Sequence, residues 1–291
     1  MRAGRAMTSG PPYHEDLPHI AAEGFELANR LCRGCGQLHA LWPYIRLARA
    51  TSAGLEDASS LLQSALSRLI AAGRRRVLVA GSADTGLLAL VARAGAGHPL
   101  DIVVLDRCET PLELCRRLAQ RWSLPIATLH EDLNALDRPA TFDVVLVYGT
   151  LHFIAPDRRP EVLARMRRSL RPDGCLVLRV NASRRIAGDL TEEGRDGYAD
   201  WVPDELSRIG VPLPEPPEAF RERLRLHAMS REHREGAFGT PEEIRALLVA
   251  AGLVASEWLE LGVKLSAPVQ EFVAKTGKRR FLAIAQPKGG A

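Results

Sequence analysis

Three groups of residues in this 291-residue sequence have types and spacings that chemistry could use. The first is the run Val77-Leu78-Val79-Ala80, followed at once by Gly81-Ser82-Ala83-Asp84-Thr85-Gly86. An apolar strand ending in small residues lets the backbone approach a ligand closely, and a helix that starts there turns its positive end toward that ligand. Asp106 closes the next apolar run, 20 residues past Gly86. That spacing suits a carboxylate that accepts hydrogen bonds from both hydroxyls of a ribose. Asp132 closes a further run, where it could meet an adenine amino group. The second group is Tyr148 and His152, at and just past the end of a fourth run. His152 is placed to act as a general base toward an acceptor that must lose a proton, with packing over the ligand edge as the structural alternative; Tyr148 is read in the same two ways. The third group is Cys32-Arg33-Gly34-Cys35, with His39 close behind. Cys32, Cys35 and His39 offer zinc three ligands, the fourth coming from His14, His19, substrate or water. A thiol redox pair and plain packing are the other readings. An odd number of cysteines, five, argues against a disulfide framework.

Positioning these residues requires a sheet. Val77–Ala80, Ile102–Leu105, Ile126–Leu129, Phe142–Val147 and Cys175–Val180 read as short strands, most of them the unbroken apolar runs of strands covered on both faces. Gly86–Ala94, Pro111–Trp122 and Pro160–Leu170 read as helices between them. The alternation predicts an α/β fold, a doubly wound, Rossmann-like, mostly parallel sheet. Leu253–Leu261 and Arg280–Ala285 predict an antiparallel C-terminal hairpin, preceded by a helix that starts at Thr240-Pro241 and stops at Gly252. The core is thus expected over residues 73–182 and 239–291. Ahead of it, Ala21–Cys32, Leu38–Ala50 and Ala58–Ala72 predict a helical N-terminal cap over 21–72, with residues 1–20, rich in Gly, Pro and polar side chains, as a flexible N-terminus. Residues 183–238 interrupt the alternation and are too long for a simple connection. They predict an insertion: a lid on the functional reading, an excursion or dimer contact otherwise.

Taken in order, these motifs resemble those of class I S-adenosylmethionine-dependent methyltransferases. Gly81-Ser82-Ala83-Asp84-Thr85-Gly86 resembles the family's glycine-rich loop, Asp106 its ribose acid, and Glu131-Asp132-Leu133 its adenine-side motif. Phe142–Val147 with Leu151-His152-Phe153-Ile154 resembles the fourth motif, and Leu170-Arg171-Pro172-Asp173-Gly174 the turn into strand five. The resemblance implies that Gly81, Ser82, Ala83, Asp84, Gly86, Asp106, Arg107, Asp132, Leu133 and Tyr148 hold S-adenosyl-L-methionine, and that His152 and Tyr148 stand at the reacting end. Where the family commonly has an acid at the end of strand one, this chain has Val79 or Ala80; Asp84 is the loop carboxylate that could replace it. A dehydrogenase, the nearest competing reading, needs a Gly-x-Gly-x-x-Gly that the loop lacks.

Methyl transfer requires the acceptor close and in line, so the open edge of the sheet needs a cover. His39, Trp42 and Tyr44 from the cap, and Tyr198, Trp201 and His227 from the insertion, are therefore expected to face the same cavity as His152. The acceptor is expected to be a small molecule. No nucleic-acid partner is expected, because Arg158, Arg159, Arg165, Arg167, Arg168 and Arg171 fall on several sides of a helix rather than in one stripe. No unbroken apolar stretch is long enough to span a membrane, and a cytoplasmic enzyme, conceivably a homodimer, is the expectation. The alternative reading is a catalytically inactive cofactor- or metal-binding regulatory or assembly protein.

Overall fold

The computed structural model describes residues 13–35, 38–51, 56–182, 192–232, 238–261 and 279–289. Seven strands form one sheet: β1 (Arg76–Ala80), β2 (Asp101–Asp106), β3 (Ile126–His130), β4 (Phe142–Tyr148), β5 (Leu170–Ala182), β6 (Leu253–Glu260) and β7 (Arg279–Pro287). Their order is β3-β2-β1-β4-β5-β7-β6; the first five are parallel and β7 is antiparallel to both its neighbours. Val77 and Val79 bury into one face and Leu78 and Ala80 into the other, the alternation a strand imposes. The expected α/β sheet and C-terminal hairpin are present. β5 is longer than its apolar run, because Leu170 already pairs with Phe142 ahead of the Gly174 turn.

Helices α1 (Tyr13–Leu31), α2 (Leu38–Thr51), α3 (Glu56–Ala71), α4 (Gly86–Ala94) and α5 (Glu109–Arg121) precede α6 (Arg159–Ser169), α7 (Glu192–Arg208), α8 (Pro217–Glu232) and α9 (Pro241–Ala250). Residues 13–20, read as flexible from their composition, are the first turns of α1. Tyr13, Leu17 and Ile20 fall on one stripe and are buried. Packing of that stripe outweighs the single hydrogen bond forfeited at Pro18. Residues 1–12 lie outside the described residues. The start of α9 is a capping box: Thr240 Oγ1 accepts from Glu243 N–H, and Glu243 Oε2 accepts from Gly239 N–H. Helices α1 to α5, α7 and α8 cover one face of the sheet, and α6 and α9 the other. The insertion therefore packs with the cap: α7 lies against α2, and Phe220 of α8 meets Tyr44 of α2 edge-on at 5.5 Å.

At the edge where the parallel strands begin, Asp143 ties three segments together. It accepts from the N–H groups of Arg75 and Arg76 and pairs with Arg171 Nη1, each at 2.8 Å. Burial pushes its carboxyl pKa up, but these donors outweigh burial and hold it below the ordinary range. The stability it contributes is thus complete above the usual carboxylate pKa of about 3.9 and is lost as pH falls through the lowered folded value. Asp143→Ala is expected to cost about 1.5 kcal/mol in urea unfolding at neutral pH. The gap from wild type should narrow in acid; a gap independent of pH would contradict an ionised anchor.

Candidate functional site

The order of the sheet reverses between β1 and β4, and the crevice in which open α/β sheets take their ligands falls beyond the carboxyl ends of those strands. Gly81 turns the chain there with φ of +83°, while its N–H still pairs with Leu105 O at 2.8 Å. A Cβ at Gly81 would lie 2.5 Å from Thr150 Cγ2, so only glycine fits between the ends of β1 and β4. Thr150 Oγ1 in turn donates to Ala80 O at 3.0 Å. Asp106 is locked beside this turn: Oδ2 accepts from Ser82 N–H at 2.9 Å, and Oδ1 from Cys108 N–H at 2.7 Å. Burial raises its pKa, and the two N–H donors offset that only in part. Each oxygen retains an acceptor site, so the carboxylate can still receive two hydroxyls.

Asp84, the loop carboxylate, is held within the protein. Arg46 of α2 grips it with both ends of its fork, Nε to Oδ2 at 2.6 Å and Nη2 to Oδ1 at 2.8 Å, and Gly86 N–H adds a third bond at 2.8 Å. The Asp84 side chain is only 2% exposed. A Cβ on Gly86 would run into the Arg46 guanidinium, which explains the small residue at the helix start. Tyr13 Oη meets Thr85 Oγ1 at 3.2 Å, so α1 closes over the same loop. Neither Arg46 nor Tyr13 has a local motif to announce it.

Along the other strand ends, Asp132 caps a short 3-10 turn, its Oδ1 accepting from Asn134 N–H at 2.8 Å and Asn134 Nδ2 at 2.6 Å. That leaves Oδ2 for an adenine amino group. Leu133 is buried among apolar side chains, while Arg107 is exposed and contributes its carbonyl to His130 Nε2 at 3.1 Å. Tyr148 lies under the Arg179 guanidinium, 4.8 Å from its ring centre. Arg179 is paired with Tyr148 across β4 and β5, and Arg280 is opposite Asn181 across β5 and β7. Alternation puts Tyr148, Arg179, Asn181 and Arg280 on the face that the cap covers. Among the described residues neither Arg179 nor Arg280 forms an ion pair, and the Nε of each is buried with no acceptor. Burial first, then the charges of Arg179 and Arg49, bring the Arg280 pKa down to about 10.

Several expected pocket residues serve other ends. His152 Nε2 accepts from Asn181 N–H at 3.1 Å, and its ring stacks edge-on with Phe238 at 5.7 Å. Nε2 is therefore engaged in joining the ends of β4 and β5. Tyr44 is a core residue between Phe25 and Phe220, and burial raises its hydroxyl pKa to about 12. His227, on α8, is 1% exposed. Trp42, Tyr198 and Trp201 are part-buried against the cap-side core, with Arg49 over the Trp42 ring at 5.2 Å and Tyr198 tilted on Trp201 at 6.4 Å. Their core faces the other side of the sheet from the Phe238 cluster that holds His152.

His39 is buried at the junction of the cap and the glycine loop. Its Nδ1 contacts Ala83 O at 2.9 Å, and it lies with Cys32, Cys35 and Cys108, all four donor atoms within 4.8 Å of one another. The fourth member is thus Cys108, two residues past Asp106, whereas His19 is exposed beside Glu23.

Residues 77–174 match the family described as methyltransferase domain, Methyltransf_25. The chain is also similar to carboxy-S-adenosyl-L-methionine synthase of Pseudomonas putida, at 32% identity over 147 residues, 45% of this chain. The chain spans 59% of that relative's length. Among solved structures, 1,6-didemethyltoxoflavin-N1-methyltransferase of Burkholderia thailandensis superposes with a TM-score of 0.52 at 19% identity, over 99% of this chain and 93% of its own. An S-adenosylmethionine-dependent methyltransferase of Leishmania major gives 0.53 at 10% identity, over 92% and 83%. Both likenesses are of fold, and each spans nine tenths or more of this chain. No described helix is long and apolar enough to cross a membrane.

Proposed function

We propose that the chain is an S-adenosylmethionine-dependent methyltransferase whose small acceptor carries an anionic group. The crevice between β1 and β4, with Gly81 at its floor and Asp106 fixed at its side by two backbone N–H groups, carries the cofactor assignment. Bound S-adenosylmethionine supplies a methyl group already activated on a sulfonium. The protein's task is then placement and exclusion of water. Asp106 receives the ribose, Asp132 and Leu133 border the adenine, and Tyr148 lies toward the reacting end. Helices α1 to α3 and the pair α7 and α8 form the cover. The acceptor class follows from Arg179 and Arg280: two cations on one face, without carboxylate partners among the described residues, favour an anion between them.

Calorimetry with S-adenosylmethionine and S-adenosylhomocysteine, followed by S-adenosylhomocysteine release with matched carboxylate and amide acceptors, tests this reading. Saturable binding and turnover confined to the carboxylates are expected. Binding without turnover of any acceptor would favour an inactive cofactor-binding protein, and absence of binding would end the assignment. Arg280→Met is expected to raise KM for the carboxylate acceptor about tenfold, the scale of one charge-assisted hydrogen bond, with kcat little changed. An unchanged KM would remove the arginines from acceptor recognition.

The same arginines favour a second reading, in which the anion belongs to the cofactor. The Pseudomonas relatives are named for making a carboxylated S-adenosylmethionine. If this chain handles such a derivative, carboxy-S-adenosylmethionine should bind more tightly than S-adenosylmethionine, and Arg280→Met should erase the difference.

A further inference from the structure

The Cys32-Arg33-Gly34-Cys35 segment closes α1 with a tight turn. Gly34 adopts φ of +77°, a left-handed conformation that brings the two cysteines to one side. His39 follows in the first turn of α2, and Cys108 arrives from the other part of the molecule, as the cap residue of α5. Four soft or borderline donors, three sulfurs and an imidazole, converge within 4.8 Å of one another. A tetrahedral ion with metal–sulfur bonds of about 2.3 Å sets its sulfurs about 3.8 Å apart; Cys32 Sγ and Cys108 Sγ are 3.7 Å apart. The surroundings also match a metal site. His39 Nδ1 is spent on Ala83 O at 2.9 Å, which turns Nε2 to the sulfurs and fixes the ring. The Thr110 hydroxyl lies 3.2 Å from Cys32 Sγ, placed to donate to a thiolate.

We infer that Cys32, Cys35, His39 and Cys108 form a closed tetrahedral zinc site that staples the helical cap to the turn that follows Asp106. Three cysteines and one histidine fill the coordination sphere, so the ion is structural, with no open position for substrate. The staple acts at two points of the cofactor crevice. Cys108 N–H holds Asp106 Oδ1, and His39 holds the carbonyl of Ala83 in the glycine loop. Cys115 and Cys175 are buried elsewhere and take no part.

Metal analysis of the purified full chain after dialysis tests this. About one zinc per chain is expected. Cobalt(II) exchanged into the wild-type protein should give the sulfur-to-metal charge transfer of three thiolates and the visible bands of a tetrahedral ion. Cys108→Ser should weaken zinc affinity by about 100-fold or more, beyond the 10–100-fold of an outer-shell change, and Cys175→Ala should leave it unchanged. A wild-type chain that takes up neither metal, a Cys32–Cys108 disulfide in the protein as isolated, or a cobalt spectrum with only two thiolates would each overturn the site. The wild-type cobalt spectrum decides the matter even if Cys108→Ser does not fold. These readouts stand apart from the cofactor assignment: zinc bound to a chain with no affinity for S-adenosylmethionine would refute only the latter.

Discussion

Arg46→Ala lowers the free energy of unfolding by about 3–5 kcal/mol, the expected scale for stripping one partner from a buried ion pair. The cost arises chiefly on the side that remains. Asp84 is 2% exposed and would retain Gly86 N–H, but lose both charge-assisted bonds from the fork. Removing both partners should cost less than the two single losses combined, because Arg46→Ala/Asp84→Ala leaves no uncompensated charge. Arg46→Lys should recover only part, since an ammonium cannot span both carboxylate oxygens in the guanidinium's geometry. Urea unfolding of wild type, Arg46→Ala, Asp84→Ala and the double variant gives the coupling energy directly. A single-variant loss under about 1 kcal/mol, the range of exposed ion pairs, would show that the cap is held on the glycine loop by something else.

Asp106→Ala weakens S-adenosylmethionine binding by about 1.5–3 kcal/mol, up to roughly a hundredfold or slightly more in Kd, the expected effect of losing hydrogen bonds to a charged acceptor. The loss has two sources. The ribose hydroxyls lose their acceptor, and the N–H groups of Ser82 and Cys108 lose the partner that sets the shape of the crevice. Asp106→Asn separates them, since its amide oxygen can satisfy only one N–H while its NH2 opposes the other. Because burial raises the Asp106 pKa, and the ribose hydroxyls prefer the ionised form, affinity should fall on acidification while pH is still above the ordinary carboxylate value of about 3.9. Calorimetry showing full affinity in a folded Asp106→Ala would sink the ribose assignment.

The sheet was readable because buried parallel strands such as Val77–Ala80 and Phe142–Val147 leave unbroken apolar runs, and Gly81 and Asp106 punctuate them at their carboxyl ends. The same local logic found Cys32, Cys35 and His39. It could not find Cys108, Arg46 or Tyr13, whose partners lie 76, 38 and 72 residues away. Such pairings exist only once the cap has docked. Aromatic and imidazole side chains misled for a related reason. Tyr44 and His227 have the composition of a pocket wall, but a helical layer two helices deep has an interior of its own, and that is where both reside. The composition of residues 1–20 misled in the opposite direction, since Pro18 lies within α1, beside the buried stripe of Tyr13, Leu17 and Ile20.

Strand β7, built from residues 279–287, lies inside the sheet between β5 and β6, and its Leu282 and Ile284 belong to the same core as Tyr13, Leu17 and Ile20 of α1. During synthesis the cap helices therefore emerge long before the core they join is closed by β7, which begins more than 200 residues after the end of α3. Contacts of such sequence separation are slow to form, and chains that depend on them expose sticky surface while they wait. Refolding should be slow and sensitive to protein concentration, and a nascent chain stalled short of β7 should be a chaperone client rather than a partly finished enzyme.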